Sequence, residues 1–319
     1  QYQEAIDAFN KSLALKEDWH SYQGLGWALF RTNQYQEAID AFNKSLALKE
    51  DWHSYQGLGF ALINANQSLE AIDAFNKSLA LKENWFSYQG LGGALLNTNR
   101  YEACLDPLRK SLALKKNHES YQGLGSALLN INQYPEAIDA FQKSIALKED
   151  WDSYKGLGYA LIRTNQYAEA IDAFRKALAV KENWLLYQGL GWALLNANQY
   201  PEAIDVFHKS IALREDWNSY LLGNSYIGLG YALIRTNQHA EAIDAFRKAL
   251  VLTEDWNPYN GLGWALLNTN QHQEAIEAFH KSLALKQDWH SYQGLGFALL
   301  KTKQFQNAIV MFQNSIALK

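Results

Sequence analysis

From Gln34 to Leu48 the residues Tyr35, Ala38, Ile39, Phe42 and Leu46 recur at steps of three and four, with Gln36, Glu37, Asp40, Asn43 and Lys44 between them. That spacing gives a helix one apolar stripe and one solvated face. A second stripe, Trp52, Tyr55, Leu58 and Leu62, follows Asp51, whose carboxylate suits a helix N-terminus. Ala65-Asn66 closes this second helix, because asparagine tolerates the left-handed backbone that ends helices. The pattern predicts a hairpin of helix A near 19–32 and helix B near 35–48, carried along the chain by translation to a last helix B at about 304–317.

The translation is 33 residues: the phrase at 1–33 returns almost verbatim at 34 and continues to Lys319. A unit of this size cannot bury its stripe alone and must stack on its neighbours. The predicted fold is all-α, an α-solenoid of antiparallel helix pairs, with 1–319 forming one domain of about nine and a half repeats. The chain opens at Gln1 inside a repeat and its one methionine is Met311, so it reads as a piece of a longer protein.

The order Tyr22, Leu25-Gly26, Tyr35, Ala38, Phe42 and Leu46 resembles the tetratricopeptide repeat signature, and the resemblance covers the whole chain. The chain departs from that signature in its shorter period, in Tyr22 where tryptophan is usual, and in Glu50 where a proline is usual. The resemblance implies a right-handed superhelix whose helices A line a concave groove and whose helices B form the outside. It also implies that the groove holds the ligand.

Trp27 lies two residues from Leu25 and from Leu29, about 200° from each, so it cannot share their stripe. It belongs to a second stripe with His20, Gln23 and Arg31, positions that match the ligand groove of the family it resembles. The slot of Trp27 becomes Phe60, Gly93, Ser126, Tyr159, Trp192, Tyr231, Trp264 and Phe297. The slot of Arg31 becomes Asn64, Asn97, Asn130, Arg163, Asn196, Arg235, Asn268 and Lys301. Gln23 recurs as Gln56, Gln89 and Gln122, then varies. Flat apolar rings beside amides and guanidinium groups make a recognition surface. A purely structural wall of rings is the competing reading.

Other signals carry less. Gly24-Leu25-Gly26 lies inside helix A and follows no strand, so it is read as close helix packing and not as a phosphate loop. The histidines lie a helix spacing apart, too far to share a metal, and no cofactor or metal site is expected. Cys104 fills a small-residue slot and reads as an inert thiol. The paired acids of helix B mark a solvated face, so no enzyme is expected. No apolar run is long enough to insert in a membrane, no signal peptide is visible, and the compartment is left open.

Three irregularities stand out. Pro107, Leu108 and Cys104 weaken one helix B. Gln199 to Asn237 spans 39 residues, and the six extra predict an irregular segment over 216–223 that displaces Trp217, with helix A restarting near Asn224. The final helix B carries Ile309, Phe312 and Ile316 with nothing to cover them, which predicts end-to-end self-association. The leading function is an interaction module that grips a protein or peptide segment. Carbohydrate is the alternative, and single-stranded nucleic acid comes third because the net charge is −4.

Overall fold

The computed structural model describes residues 2–213 and 220–319, and all described secondary structure is helical. The chain divides into two compact units, Gln1–Ala160 and Leu161–Lys319. The first holds α1 (Tyr2–Leu15), α2 (Trp19–Arg31), α3 (Tyr35–Leu48), α4 (Trp52–Asn64), α5 (Ser68–Leu81), α6 (Trp85–Asn97), α7 (Tyr101–Leu114), α8 (His118–Asn130) and α9 (Tyr134–Leu147). The helix α10 (Trp151–Arg163) crosses the division. The second unit holds α11 (Tyr167–Val180), α12 (Trp184–Asn196), α13 (Tyr200–Ala212), α14 (Tyr220–Arg235), α15 (His239–Leu252), α16 (Trp256–Asn268), α17 (His272–Leu285), α18 (Trp289–Lys301) and α19 (Phe305–Ala317).

Each helix A starts and stops for a chemical reason. Asp18 accepts from the backbone N–H groups of His20 and Ser21, and Asp51 does the same for His53 and Ser54. The stop is a residue in the left-handed region, an asparagine as at Asn33 (φ 62) and Asn66 (φ 60) in every case but the last, where it is Lys303 (φ 63). One residue later, Gln34 N–H reaches back to the Leu29 carbonyl at 3.0 Å and closes the helix end.

The core is built on one ring per repeat. Phe42 of α3 is fully buried between α2 and α4, where Gly26 and Gly57 let the backbones approach. A Cβ at Gly57 would lie 2.3 Å from Phe42 Cζ, so no larger residue fits without moving the ring. Leu108 takes that place in α7, which runs unbroken through Pro107. Within each unit, helices A touch the next helices A, as α2 touches α4 and α12 touches α14. Successive helices B lie farther apart and meet through long side chains, as Arg175 of α11 does with Glu202 of α13 at 2.7 Å, so the A-helix side is the tighter, inner side of each unit.

A buried polar network joins successive repeats. Ser45 Oγ donates to the Trp19 carbonyl at 2.9 Å and lies 3.0 Å from Ser54 Oγ. Gln23 Nε2 donates to Ser54 Oγ at 2.8 Å and to Asp51 Oδ2 at 2.7 Å. The same arrangement links Gln56, Ser78 and Ser87. In the second unit Gln188, Ser210 and Ser225 repeat it. At two junctions all three positions change together, to Lys155, Ala177 and Leu186 and to Ile227, Ala249 and Pro258, and all of these but Lys155 are buried. Pro258 has no N–H to offer, and Asp255, which precedes that helix, makes no side-chain cap bond.

The insertion corrects one expectation. Helix α14 begins at Tyr220, so Asn224, expected to cap it, lies inside the helix. Leu222 is buried, and Gly223 occupies the slot of Trp19, where a Cβ would meet Thr253 Cγ2 at 2.3 Å. In most other repeats that slot is a tryptophan, and it lies under a lysine, as with Lys49 over Trp19 at 4.1 Å. Glycine and threonine replace tryptophan and lysine here, and the extra apolar turn continues the helix. Tyr220 and Leu221 remain exposed, and Trp217 lies outside the described residues.

Candidate functional site

The aromatic slot does two things at once. Its rings stand edge-on against the core phenylalanine of the same repeat: Trp27 on Phe42 with centroids 5.5 Å apart, Phe60 on Phe75 at 5.0 Å, Trp192 on Phe207 at 5.8 Å, Tyr231 on Phe246 at 5.2 Å, Trp264 on Phe279 at 5.7 Å and Phe297 on Phe312 at 5.2 Å. Each ring is nonetheless open in part on the A-helix face, most of all Phe297, which is 40% exposed. Tyr159 is half-buried, and burial pushes its phenol up to about 12.

The second residue of the following helix A meets that ring. His53 stacks on Trp27 at 5.2 Å, Phe86 lies 4.3 Å from Phe60, and Asn257 Oδ1 accepts from the Tyr231 hydroxyl at 2.5 Å. Burial, first of all, holds the His53 imidazole below its ordinary value, with Lys82 adding to the shift and Asp51 opposing it. The Tyr231 phenol is raised, chiefly by burial and then by the charges of Asp288 and Asp255. Of this row, only His20 stands out from the wheel of a single helix. A variable second position in otherwise constant helices was the available signal.

The polar rows separate. Gln23 and Gln56 commit their amide donors to the next repeat, and Gln122 Nε2 donates to Asp152 Oδ2 at 2.6 Å. Asn64, Asn130 and Asn196 are exposed, and each Nδ2 donates to the carbonyl four residues back, at 2.9, 2.8 and 2.7 Å. Asn97 Nδ2 approaches Ser68 Oγ at 3.4 Å. Arg31, Arg163, Arg235 and Asn268 are exposed, and Arg235 Nε donates to the Tyr200 hydroxyl at 3.1 Å.

Three cavities gather these residues. One of about 460 Å³ is lined by Trp27, Arg31, His53, Gln56 and Phe86. A second, about 310 Å³, opens where the aromatic slot shrinks to Gly93 and Ser126, with Phe60, Gln89 and Gln122 in its wall. The third, about 540 Å³, lies in the second unit and brings together Trp192, Tyr231, Arg235, Trp264 and Asn268. Among the described residues no group of three or more His, Cys, Asp or Glu side chains could hold a metal, and no helix is long and apolar enough to cross a membrane. Burial pushes the Cys104 thiol up to about 11, so little thiolate forms near neutral pH.

A stack of paired helices with a variable inner face defines a repeat scaffold. The tetratricopeptide repeat family matches residues 19–52, 123–184, 156–220, 189–257 and 227–291, more than half of the chain, which therefore belongs to that family. Such repeats generally mediate protein–protein interactions. The Cut9 and Hcn1 hetero-tetramer crystal structure of APC/C matches with a TM-score of 0.57 at 15% identity, over 100% of this chain and 91% of that one. A tetratricopeptide repeat protein from Parabacteroides merdae matches with a TM-score of 0.56 at 14% identity, over 81% of this chain and 98% of that one. At these identities the likeness is one of fold. No curated protein matches the sequence.

Proposed function

We propose that the A-helix face binds an extended or helical segment of a partner protein, with the aromatic slot taking its side chains and the asparagine row bonding its backbone. The observation that carries this reading is the third cavity, where Trp192, Tyr231 and Trp264 surround the same space as Arg235 and Asn268. A wall of rings needed only for packing would not require exposed amide and guanidinium groups at the same cavity. The rings supply apolar area at low rotamer cost, and an asparagine whose Nδ2 is tied to its own helix presents Oδ1 outward as a fixed acceptor.

Selection of peptides from a randomised display library on the intact chain tests the proposal. Selected peptides should lose at least about tenfold in affinity on Trp192→Ala or Trp264→Ala, the scale of an interface anchor. Peptides unaffected by both changes would place binding elsewhere and overturn it. So would an empty selection accompanied by salt-insensitive binding on a glycan array, because rings flanked by amides also suit sugar hydroxyls.

A further inference from the structure

The smallest of the three cavities has chemistry of its own. Of the nine residues at the second position of helix A, from His20 to His290, only Glu119 and Asp152 are acids. These are the helices that follow Gly93 and Ser126. A carboxylate therefore arrives from the next helix at each place where the ring is missing. The space is real on the glycine side, since a Cβ at Gly93 would meet no atom within 4 Å.

The wall is apolar below and acceptor-rich above. Ile63, Leu96 and Leu108 line it, and Leu108 stands where other repeats place the larger phenylalanine. Gln89 also lines it, with its Oε1 turned away from the open space and closed to solvent. Asp152 already pairs with Lys155 and accepts from Gln122. Glu119 is half-exposed and touches the His118 imidazole Nδ1 at 2.7 Å, so it retains acceptor capacity toward the cavity.

We propose that this cavity takes a cationic side chain, lysine or arginine, with its methylene stem on Ile63, Leu96 and Leu108 and its charged head against Glu119. Long cationic side chains have this division into apolar stem and polar tip. An aromatic ring would fill the volume but leave the Glu119 carboxylate without a counter-charge, and an acidic side chain would meet like charge. A volume of about 310 Å³ admits one such side chain and excludes a folded element. The inference rests on the groove reading only in assigning that side chain to a bound segment.

The test uses N-acetyl-arginine methylamide as probe, titrated into the intact chain while methyl resonances of Ile63, Leu96 and Leu108 are followed. Norleucine and glutamate analogues serve as comparators. The arginine probe should shift these methyls saturably, with the norleucine analogue at least about tenfold weaker because it lacks the charge-assisted bond. Glu119→Gln should weaken the arginine probe by about tenfold, and Asp152→Asn by less, because Lys155 already engages that carboxylate. Gly93→Trp, which restores the ring present at Trp27, should abolish the shifts while leaving the helical spectrum intact. Equal binding of norleucine, absence of shifts at probe concentrations on the order of tens of millimolar, or indifference to Gly93→Trp would overturn the assignment. The two readings fail separately. Library peptides that bind the groove without cationic preference sink this one alone, and a saturable arginine probe with no peptide binder sinks the groove alone.

Discussion

Removing one hydroxyl from the inter-repeat network measures how the repeats are joined. Ser78 is fully buried in α5, donates to the Trp52 carbonyl at 2.8 Å and lies 2.8 Å from Ser87 Oγ. With Ser78 donating to Trp52, Ser87 must donate to Ser78, while Ser87 Oγ accepts from Gln56 Nε2 at 2.9 Å and from Asn84 Nδ2 at 3.0 Å. Ser78→Ala removes one bond outright and strands the Ser87 hydroxyl in a fully buried site. Two bonds at about 1 kcal/mol each, with a stranded donor, give a loss of about 2–3 kcal/mol. Ser87→Ala costs less, about 1–2 kcal/mol, because Ser78 keeps Trp52 and Gln56 Nε2 keeps Asn84 Oδ1 at 2.8 Å. The double variant loses the shared bond only once, so the cycle should show a coupling of about 1 kcal/mol or more. Native-state hydrogen exchange of α5 and α6 amides is the assay, with helices of the second unit as internal reference, since a repeat array need not unfold as one unit. Single losses that add to within about 0.3–0.5 kcal/mol would show that the serines share nothing, and the network reading would fail.

Two further outcomes follow from the same packing. Gly57→Ala should destabilise its repeat by about 1–3 kcal/mol, because the new methyl meets Phe42. Gly123→Ala, whose Cβ would lie 3.3 Å from Leu96 Cδ1 and 3.4 Å from Leu108, should be neutral or gain up to about 1 kcal/mol from helix propensity, and equal losses in thermal unfolding would contradict the argument. His53 has its folded pKa below its ordinary value of 6.5, so the unfolded chain binds more protons. Its contribution is fully present above that value and is lost as pH falls through the folded pKa. His53→Phe, the residue found at Phe86, should flatten the urea stability of the first repeats between about pH 7 and 5, and an unchanged slope would count against burial as the cause.

Most helix bounds were legible because each depends on a few local residues. The 3.6 periodicity fixed the stripes, Asp18 and Asp51 marked the starts, and Asn33 and Asn66 marked the stops at positive φ. The start of α14 was not legible, because it depends on a remote exchange: Gly223 against Thr253 makes a helical turn where a tryptophan would have clashed. The glutamine row was read from its angle on the wheel, which gives a direction but not what the next helix presents there. The inter-repeat serine was the missing fact. It could have been found inside the chain itself, since glutamine gives way to Ile227 at the junction where both serines become Ala249 and Pro258.

That three-way exchange has a consequence for how such a chain changes in length. Nearly identical repeats invite misaligned recombination, which deletes or duplicates whole units. A new junction that sets Gln56 against the apolar pair would bury an amide with nothing to bond, and one that sets Ile227 against two serines would leave hydroxyls facing a hydrocarbon. The repeats therefore come in kinds with rules of adjacency. An array can grow or shrink freely among units that share a junction type, while the unit carrying Ile227 needs a successor with an apolar pair, Ala249 and Pro258 as now or Ala177 and Leu186.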